Sequence, residues 1–396
     1  MSTEIYRLAS KKPHIIILMM LSAFANVGAI IMTPALSNIA QFFKISVGST
    51  QLIVTCFLLG YAFGQLMYGP IANRFGRKIA LYVGLLIAAI GSLISIISSP
   101  IHSFGLLIIG RFVEAVGASG GLVVCMAIIN DFYFETQARK IMGALMLAFA
   151  IMPGLANLIG GTLVQFLGWQ SCFYFLFLYG VFLIYFTYRL PETALTHDLG
   201  ALEYEHIAQN YIKNFQIKKL LGFAAISGFS TACIYVFGIE GPFVAIHFLH
   251  LQPAIYGMSA MLPYVGALIG ALIMMRLSAF NPLSVIQFAI GIEVTAALLM
   301  LTLFIFFQLT LWAMLLPMTL FFIGHPILSG TSLTVSMQQT PDKSNGSAVV
   351  NFASMCTPVL MTFTLGILHT SHAWIMPIIF LISLFLMSVT YRKSLK

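Results

Sequence analysis

Long apolar stretches recur along the whole chain and decide what it can fold into. A helix that spans the hydrocarbon core of a bilayer needs about 20 largely apolar residues. Such stretches begin near residues 15, 50, 79, 104, 141, 171, 219, 254, 283, 310, 346 and 373. Only 8% of the 396 residues are charged, whereas about 25% are charged in a typical soluble protein. The sequence therefore predicts an all-α membrane protein with twelve transmembrane helices.

Lysine and arginine residues are concentrated at alternate ends of these stretches. Cytoplasmic loops of membrane proteins are enriched in both residue types. If the N-terminus lies in the cytoplasm, all of the 19 lysines and arginines fall in inner segments except Lys44 and Arg111. We therefore expect a multi-pass membrane protein, surrounded by lipid, with both termini cytoplasmic. The net charge of +8 then has an explanation that requires no nucleic-acid partner.

The sequence lacks the patterns of common enzymes, metal sites and ATP-driven pumps. It has no H-E-x-x-H, no P-loop pattern and no clear Ser/His/Asp or Cys/His arrangement. The cysteines are widely spaced and lie within apolar stretches, which fits neither a disulfide framework nor a metal cluster. They are Cys56, Cys125, Cys172, Cys233 and Cys356. We expect no cofactor, no bound metal and no enzymatic activity, and a receptor is disfavoured because no signalling domain is visible.

One polar interval divides the chain into two parts. It runs from Arg189 to Lys219 and includes the charged stretch HDLGALEYEH. Six apolar stretches precede it and six follow, which suggests an internal duplication. We predict a six-helix bundle over residues 1–190, a cytoplasmic central loop over 191–218 and a second, pseudo-symmetric bundle over 219–396. Transporters built from such repeats bind substrate near the bilayer midplane, between the halves.

Several motifs resemble one family of transporters. The run PALSNIAQFFKISVGSTQLIVTCFLLGYAFGQLMYGPIANRFGRK, from Pro34 to Lys78, is similar to the start of major facilitator superfamily proteins of the bicyclomycin-resistance type. GRFVEAVGAS, DFY, LIGGTLVQFLGWQSCFYF and GPFV are further matches, and most of them lie in the first half of the chain. This resemblance implies a fold of two six-helix bundles. It also implies export of small amphiphilic molecules or drugs by proton antiport, without a cofactor.

The turn between the second and third predicted spans matches a gating motif of this family. The matching positions are Gly69, Arg74, Gly76, Arg77 and Lys78. The motif's glycines permit a tight bend and a close approach of helices. The resemblance implies that one of the last two cations pairs with Asp131 and latches one conformation. Asn73 stands where the family has an aspartate, so we expect a weaker latch. The alternative is that the cluster only orients the protein by its charge.

The fifth predicted span contains a proline and glycine pattern that resembles the hinge of antiporters in this superfamily. Its members are Pro153, Gly154, Gly160 and Gly161, and Asn157 replaces a proline that is often found there. Proline removes a backbone hydrogen bond, and small residues let a neighbouring helix approach. Bending against the other half and plain tight packing are both compatible with this pattern.

Two opposite charges lie within the fourth predicted span. Arg111 and Glu114 are three residues apart, so they share a helix face and can pair. The family usually has glutamine at the position of Glu114 and an aspartate at the position of Ile30 in the first span. Charges in the hydrocarbon region are costly and are functional candidates by default. We therefore hypothesise that Glu114 carries the coupled proton, and the alternative is a permanent ion pair that only neutralises both groups.

Three further titratable residues lie in the second half of the chain. Glu240, near the outer end of the seventh span, is a candidate second titrating group or recruiter of cationic substrate, or an ordinary interfacial glutamate. His325, beside Pro326, is a candidate proton relay or a donor to a carbonyl that the proline releases. Glu293 lies in the ninth span, which belongs to the outer ring of this fold. We expect Glu293 to be protonated or paired rather than coupled to substrate.

Polar side chains at several depths are candidates for the lining of the substrate cavity. They are Asn26, Tyr61, Gln65, Arg111, Glu114, Tyr235 and His325. Each of them would serve equally as hydrogen-bonding glue between helices. The leading interpretation is a proton-driven exporter that functions as a monomer, with a small organic molecule and protons as its ligands. The alternatives are a siderophore or other metabolite transporter, working in either direction, and an uncoupled facilitator.

Overall fold

The computed structural model describes residues 12–133, 135–194, 198, 200–277, 279–307, 309–341, 343–368 and 372–395. All regular elements within these ranges are helices. Eleven of them are long and apolar enough to span a membrane, and a further helix has a shorter apolar segment, Ile151–Leu167. We label the spans and this helix α1 Ile15–Phe43, α2 Gly48–Phe75, α3 Arg77–Ser98, α4 Phe104–Phe132, α5 Glu135–Leu167, α6 Gln170–Thr187, α7 Lys218–Phe248, α8 Pro253–Leu277, α9 Pro282–Phe306, α10 Leu311–Gln338, α11 Asn345–Ile367 and α12 Ile375–Ser394. The predicted all-α membrane fold is confirmed.

The helices begin close to where the apolar stretches begin in the sequence. The largest difference is at α5, which begins at Glu135 instead of near residue 141. The first turns of α5 contain charged and polar residues, which a hydropathy argument assigns to a loop. Charged and polar residues are compatible with a helix outside the hydrocarbon region, so α5 begins before its apolar stretch.

Short polar side chains cap several of these helices. Ser103 Oγ accepts a hydrogen bond from the backbone N–H of Leu106 at the start of α4. Thr310 Oγ1 accepts from the N–H of Ala313 at the start of α10. Such caps satisfy N–H groups that have no partner within the helix. They explain why these helices begin where the apolar sequence does.

Close contact between α3 and α4 fixes the position of the charges on α4. A Cβ atom on Gly91 of α3 would overlap the backbone of Glu114, and one on Gly117 of α4 would overlap the backbone of Ala88. The two backbones therefore touch at two levels, as small residues permit in membrane helices. This packing sets the depth and rotation of the segment that carries Arg111 and Glu114.

We call α1–α6 the N-half and α7–α12 the C-half. The halves contact each other mainly through α2 with α11 and through α5 with α8. A connecting helix, Tyr204–Phe215, lies between them in the sequence. Its Tyr211 hydroxyl donates to the carbonyl of Leu66 on α2, and its Asn214 accepts from Thr340 after α10. The residue boundaries 1–190, 191–218 and 219–396 stay predictions.

Candidate functional site

The N-half contains a buried ion pair. Arg111 Nη1 lies 3.0 Å from Glu114 Oε2, and the side chains are 0% and 1% exposed. Arg111 Nη2 donates to the carbonyl of Gly28 on α1 at 2.7 Å. The guanidinium carbon lies 4.1 Å from the centre of the Phe57 ring on α2, within cation–π range. The pair is thus enclosed by α1, α2 and α4 and does not face lipid.

The Glu114 carboxylate packs closely against Gly28 of α1. A Cβ atom on Gly28 would lie 3.2 Å from Glu114 Oε1 and 3.0 Å from the Phe57 ring. The absence of a side chain at this position lets α1 approach the carboxylate. Because neither charged side chain has appreciable exposed surface in this conformation, exchange of a proton with water requires Phe57 or α1 to move.

A second buried carboxylate lies in the C-half. Ser230 Oγ on α7 donates to Glu293 Oε1 on α9 at 2.5 Å, and the same hydroxyl lies 2.8 Å from His325 Nδ1 on α10. Glu293 and Ser230 are 0% exposed, whereas His325 is half-buried. His325 Nδ1 therefore contacts a serine hydroxyl rather than a carbonyl freed by Pro326, because α7 presents Ser230 at the same depth.

Polar aromatic side chains connect the two halves near the middle of the helices. Tyr61 of α2 lies close to Tyr235 of α7, and Tyr235 lies close to Tyr264 of α8. The Tyr264 side chain also lies close to the Asn157 side chain on α5. Asn157 Oδ1 in turn accepts from Thr33 of α1 at 3.0 Å. The asparagine that replaces a family proline is thus part of a polar contact between halves.

Two of the predicted cavity residues have weaker structural support. Gln65 of α2 is 2% exposed, and its Oε1 has no hydrogen-bond partner among the described residues. Asn26 of α1 is 9% exposed. Both are accessible only if the surrounding helices rearrange, so their role as substrate contacts stays a prediction.

Side-chain hydrogen bonds join the halves at the ends predicted to face outward. Gln51 Nε2 at the start of α2 donates to Glu240 Oε1 of α7 at 2.9 Å. Thr55 of α2 donates to Thr362 of α11 at 3.0 Å. Glu240 is only 3% exposed, so it is not an interfacial glutamate in contact with water. It holds the two halves together in this conformation.

The glycines of α5 lie at helix contacts. A Cβ atom on Gly161 would overlap the carbonyl of Pro253 on α8, and one on Gly160 would overlap the carbonyl of Ile31 on α1. A Cβ on Gly154 would lie 3.1 Å from the Tyr264 ring. Pro153 is inside the helix. These contacts account for the pattern as close packing against both halves, and a hinge role stays a prediction.

The gating motif forms an ion pair at the cytoplasmic ends of α3 and α4. Arg77 Nε lies 2.8 Å from Asp131 Oδ2, with side-chain exposures of 13% and 26%. Thr193 Oγ1 also donates to Asp131, at 3.1 Å. The Lys78 ammonium instead donates to the carbonyl of Tyr188 at 3.1 Å. Arg77 is therefore the cation that contacts Asp131.

Glu192 supplies a carboxylate that sequence reasoning missed. Its two oxygens accept hydrogen bonds from the backbone N–H groups of Arg77 and Lys78 at 2.9 and 3.0 Å. It thereby caps the first turn of α3, where a negative charge is favourable. Asn73 takes no part in this carboxylate cap, and its carbonyl accepts from the N–H of Asp198.

The remaining positions of the motif differ in how strongly the structure requires them. Gly76 has φ +98°, a conformation that side-chain-bearing residues rarely adopt, so it makes the bend. A Cβ atom on Gly69 would meet nothing within 4 Å, so Gly69 is not needed for a close helix approach here. Arg74 Nη1 is buried and lacks a hydrogen-bond partner in the part of the chain that the structure describes.

The sequence was also compared with known protein families. Residues 16–357 match the profile described as Major Facilitator Superfamily. The chain belongs to the Major Facilitator Superfamily. As a member of this superfamily it is a transporter and not an enzyme, as the sequence predicted. Among the described residues, no group of three His, Cys, Asp or Glu side chains is arranged to hold a metal ion.

Individual relatives agree with this assignment. The chain is 26% identical over 332 residues to a bicyclomycin resistance protein homolog of Haemophilus influenzae, covering 83% of this chain and 82% of that protein. It is 28% identical over 337 residues to multidrug resistance protein D of Escherichia coli, covering 83% and 81%. A partially occluded inward open structure of the E. coli xylose transporter XylE matches with a TM-score of 0.73 over 98% of each chain, at 13% identity. This last likeness concerns the fold alone.

Proposed function

We propose that this transporter exports small amphiphilic organic molecules across the bacterial inner membrane in exchange for protons, with both termini in the cytoplasm. The observation that carries the proposal is the buried Glu114 carboxylate, which is paired with Arg111 and tied through it to α1. An ionisable group in the hydrocarbon region is energetically costly, so its presence there indicates a function. The names of the relatives, which refer to multidrug and bicyclomycin resistance, support a drug-like substrate.

The geometry offers a way to link protonation to helix movement. Arg111 contacts Glu114 on its own helix, Gly28 on α1 and Phe57 on α2. A proton on Glu114 cancels the carboxylate charge and weakens its attraction to the guanidinium. Arg111 then keeps only the carbonyl of Gly28 and the Phe57 ring as strong partners. A change of one proton thus alters the balance of contacts among α1, α2 and α4.

The contacts between halves support a state in which the outer side is closed. The bonds Gln51–Glu240 and Thr55–Thr362 lie at the predicted outer ends, and opening to the outside requires both to break. The Arg77–Asp131 pair lies at the opposite ends of α3 and α4. Its proposed role is to stabilise one of the two states by holding the cytoplasmic ends of these helices together.

The proton motive force is sufficient for such a task. Moving one elementary charge through 100 mV supplies about 2.3 kcal/mol. At 1.4 kcal/mol for each tenfold ratio, this energy sustains a substrate gradient of roughly fortyfold. One or two protons per cycle therefore drive useful export without ATP.

The test is proton-coupled transport by purified protein in proteoliposomes. Candidate ligands are first found by thermal shift, with the lipophilic cation ethidium as the starting probe. Substitution Glu114→Gln removes the titratable group but keeps its size, and we expect transport to stop responding to an imposed pH gradient. The matched control is Glu203→Gln, the same change at an exposed position before the connecting helix, and it should leave the response intact. Undiminished coupling in Glu114→Gln would remove the carrier role.

An uncoupled facilitator is the second candidate, and the closed Arg111–Glu114 ion pair favours it. A carboxylate that is already neutralised by a guanidinium has no need of a proton. Counterflow of ethidium that is equally fast with and without a pH gradient in the unsubstituted protein would select the facilitator. Transport that is accelerated by a gradient of the correct sign would exclude it.

A further inference from the structure

Three side chains of the C-half form a continuous hydrogen-bonded line. Ser230 on α7 lies between the other two, with its Oγ 2.5 Å from Glu293 Oε1 and 2.8 Å from His325 Nδ1. Glu293 is 0% exposed, while His325 is half-buried. The line therefore has a fully enclosed carboxyl end and a half-buried imidazole end.

Among the described residues, none supplies a counter-charge to Glu293. From α7, Ser230 and Cys233 face its carboxyl group, and α10 contributes His325 through Ser230 and Gly324 by direct packing. On α12, Ser383 lies beside Cys233. Within the described ranges, no lysine or arginine forms an ion pair with Glu293. Its Oε2 also has no hydrogen-bond partner in this part of the chain.

A carboxylate in such a place is difficult to explain as structural glue. A permanent negative charge without a nearby cation is costly in the hydrocarbon region. If hydrogen bonding to Ser230 were the only requirement, a neutral amide or hydroxyl would meet it at lower cost. The group that best compensates the charge is a proton, carried either by Glu293 itself or by His325.

We propose that Glu293, Ser230 and His325 form a second proton-binding site, which is loaded through the half-buried imidazole and stores the proton on the enclosed carboxyl group. This site requires neither the proposed role of Glu114 nor a particular direction of transport. It also changes the expectation for Glu293, because the residue is then an exchangeable proton store rather than a passive outer-ring acid.

The transfer along the line balances in atoms and charge. A proton from water binds His325 Nε2 and gives an imidazolium, which donates through Nδ1–H to Ser230 Oγ while the serine donates to the Glu293 carboxylate. The Nδ1–H bond then breaks as a new Oγ–H bond forms, and the original Oγ–H bond breaks as Oε1–H forms. The products are a neutral imidazole with its hydrogen on Nε2 and a carboxylic acid. The acid donates to Ser230 Oγ, and the hydroxyl donates to Nδ1.

No net charge moves into the protein in this internal step. An imidazolium and a carboxylate become two neutral groups, joined throughout by the same serine. Hydrogen bonds exist on both sides of the serine before and after transfer, so the heavy atoms need not move. The transfer can therefore run in both directions. A proton store needs this property, whereas a permanently protonated carboxylic acid does not.

The test is infrared difference spectroscopy of the full-length protein in lipid, recorded between acidic and alkaline buffer. A protonated carboxyl group has a C=O stretching band that is separate from the carboxylate bands. Several carboxyl groups contribute to this band on acidification; we expect one component to appear reversibly with pH and to be absent in Glu293→Gln. The band should persist in Glu203→Gln, the exposed control, and in Glu114→Gln, which separates this site from the one proposed in the N-half.

Two further variants keep the test decisive if Glu293→Gln does not fold. In Ser230→Ala, the acid loses its hydrogen-bond partner, so its band should shift to higher frequency. In His325→Gln, the titratable end of the line is lost, so the midpoint of the band's pH titration should move. A carboxylic acid band that is constant at every pH would overturn the proposal. A reversible band that is unchanged in position and midpoint in both variants would also overturn it.

Discussion

Each half encloses a glutamate near the middle of a spanning helix, Glu114 in α4 and Glu293 in α9, and these two acids are compensated in different ways. Glu114 of the N-half and Glu293 of the C-half are equally enclosed, at 1% and 0% exposure. Each also lies against a glycine of a neighbouring helix, Gly28 on α1 and Gly324 on α10. Glu114 has a guanidinium 3.0 Å away, whereas Glu293 has a serine hydroxyl and, beyond it, a histidine.

This difference indicates that burial alone does not define the function of an intramembrane acid. In the N-half, the Arg111 cation and the Glu114 carboxylate together have no net charge. Adding a proton to Glu114 therefore leaves the Arg111 charge without its counter-charge. The C-half line has no fixed cation among the described residues, so a proton completes it. In this conformation the same side chain is a charged partner in one half and, in the proposed second site, a proton acceptor in the other.

Removing the Arg111 cation should give the largest difference in stability between the two halves. Arg111→Met leaves the Glu114 carboxylate buried without its partner, and such a change typically destabilises a protein by about 3–5 kcal/mol. We expect a loss of this size in the free energy of unfolding, measured by denaturant titration of the purified protein in micelles. The corresponding change in the C-half, His325→Gln, should cost no more than about 1.5 kcal/mol, because it removes one hydrogen bond rather than a counter-charge.

The control for Arg111→Met is the double variant Arg111→Met/Glu114→Gln. Replacing both members of a buried pair is often close to neutral, so the second substitution should restore most of the lost stability. If the double variant is as unstable as Arg111→Met, the loss comes from packing against Phe57 and Gly28. The distinction between a fixed and an exchangeable compensation would then fail.

Sequence patterns predicted the N-half site better than the C-half site. Arg111 and Glu114 are three residues apart on one helix, so helical periodicity alone brings them together. Glu293 and Ser230 are 63 positions apart, and Ser230 and His325 are 95 apart. A serine inside an apolar helix has no local feature that separates it from ordinary packing, so its partners depend on how three helices are rotated against one another.

The same reasoning applies at the cytoplasmic ends and in the general architecture. Apolar length alone predicted the spans, since each depends on about 20 neighbouring residues. The gating motif and Asp131 followed from a resemblance, but Glu192 did not, because it is 115 positions from Arg77. Gln51 was missed for a similar reason, since its partner Glu240 is 189 positions away.

Substitution of the glycines that contact the two acids tests how tightly each acid is packed. A Cβ atom on Gly324 would lie 2.9 Å from Glu293 Cγ, so Gly324→Ala forces the acid away from Ser230. Overpacking of this kind costs about 1–3 kcal/mol, and unfolding titrations should show it. Glu293→Ala removes the closest atom in conflict and leaves a 3.2 Å contact with Ile292 Cγ2, so the double variant should be more stable than the sum of the single losses predicts.

The matching cycle in the N-half should show weaker relief. A Cβ on Gly28 would meet the Phe57 ring as well as Glu114. Removing the Glu114 side chain therefore leaves the closer conflict, at 3.0 Å from the Phe57 ring, in place. It also leaves Arg111 without its partner. If the two double variants regain the same amount of stability, the two acids are packed in the same way and the proposed difference between the halves is wrong.

The smallest change in stability is expected at a third acid, Asp131, which has a cationic partner and is partly exposed. Arg77 and Asp131 are 13% and 26% exposed, whereas the chemically similar pair Arg111–Glu114 is enclosed. Exposed ion pairs contribute about 0.2–1 kcal/mol and are screened by salt. Asp131→Asn should therefore reduce the free energy of unfolding by an amount in this range at low salt, and by less at high salt.

Repeating the unfolding titrations at both salt concentrations separates the roles of counter-charge and burial. The loss in Arg111→Met should be nearly independent of salt, because mobile ions do not reach the enclosed pair. The loss in Asp131→Asn should shrink as salt rises, even though the carboxylate accepts from Thr193 as well as from Arg77. If both losses shrink by the same factor, water and ions reach the α4 pair. Glu114 would then be accessible to protons without any movement of Phe57 or α1, and enclosure would no longer distinguish it from the cytoplasmic acid.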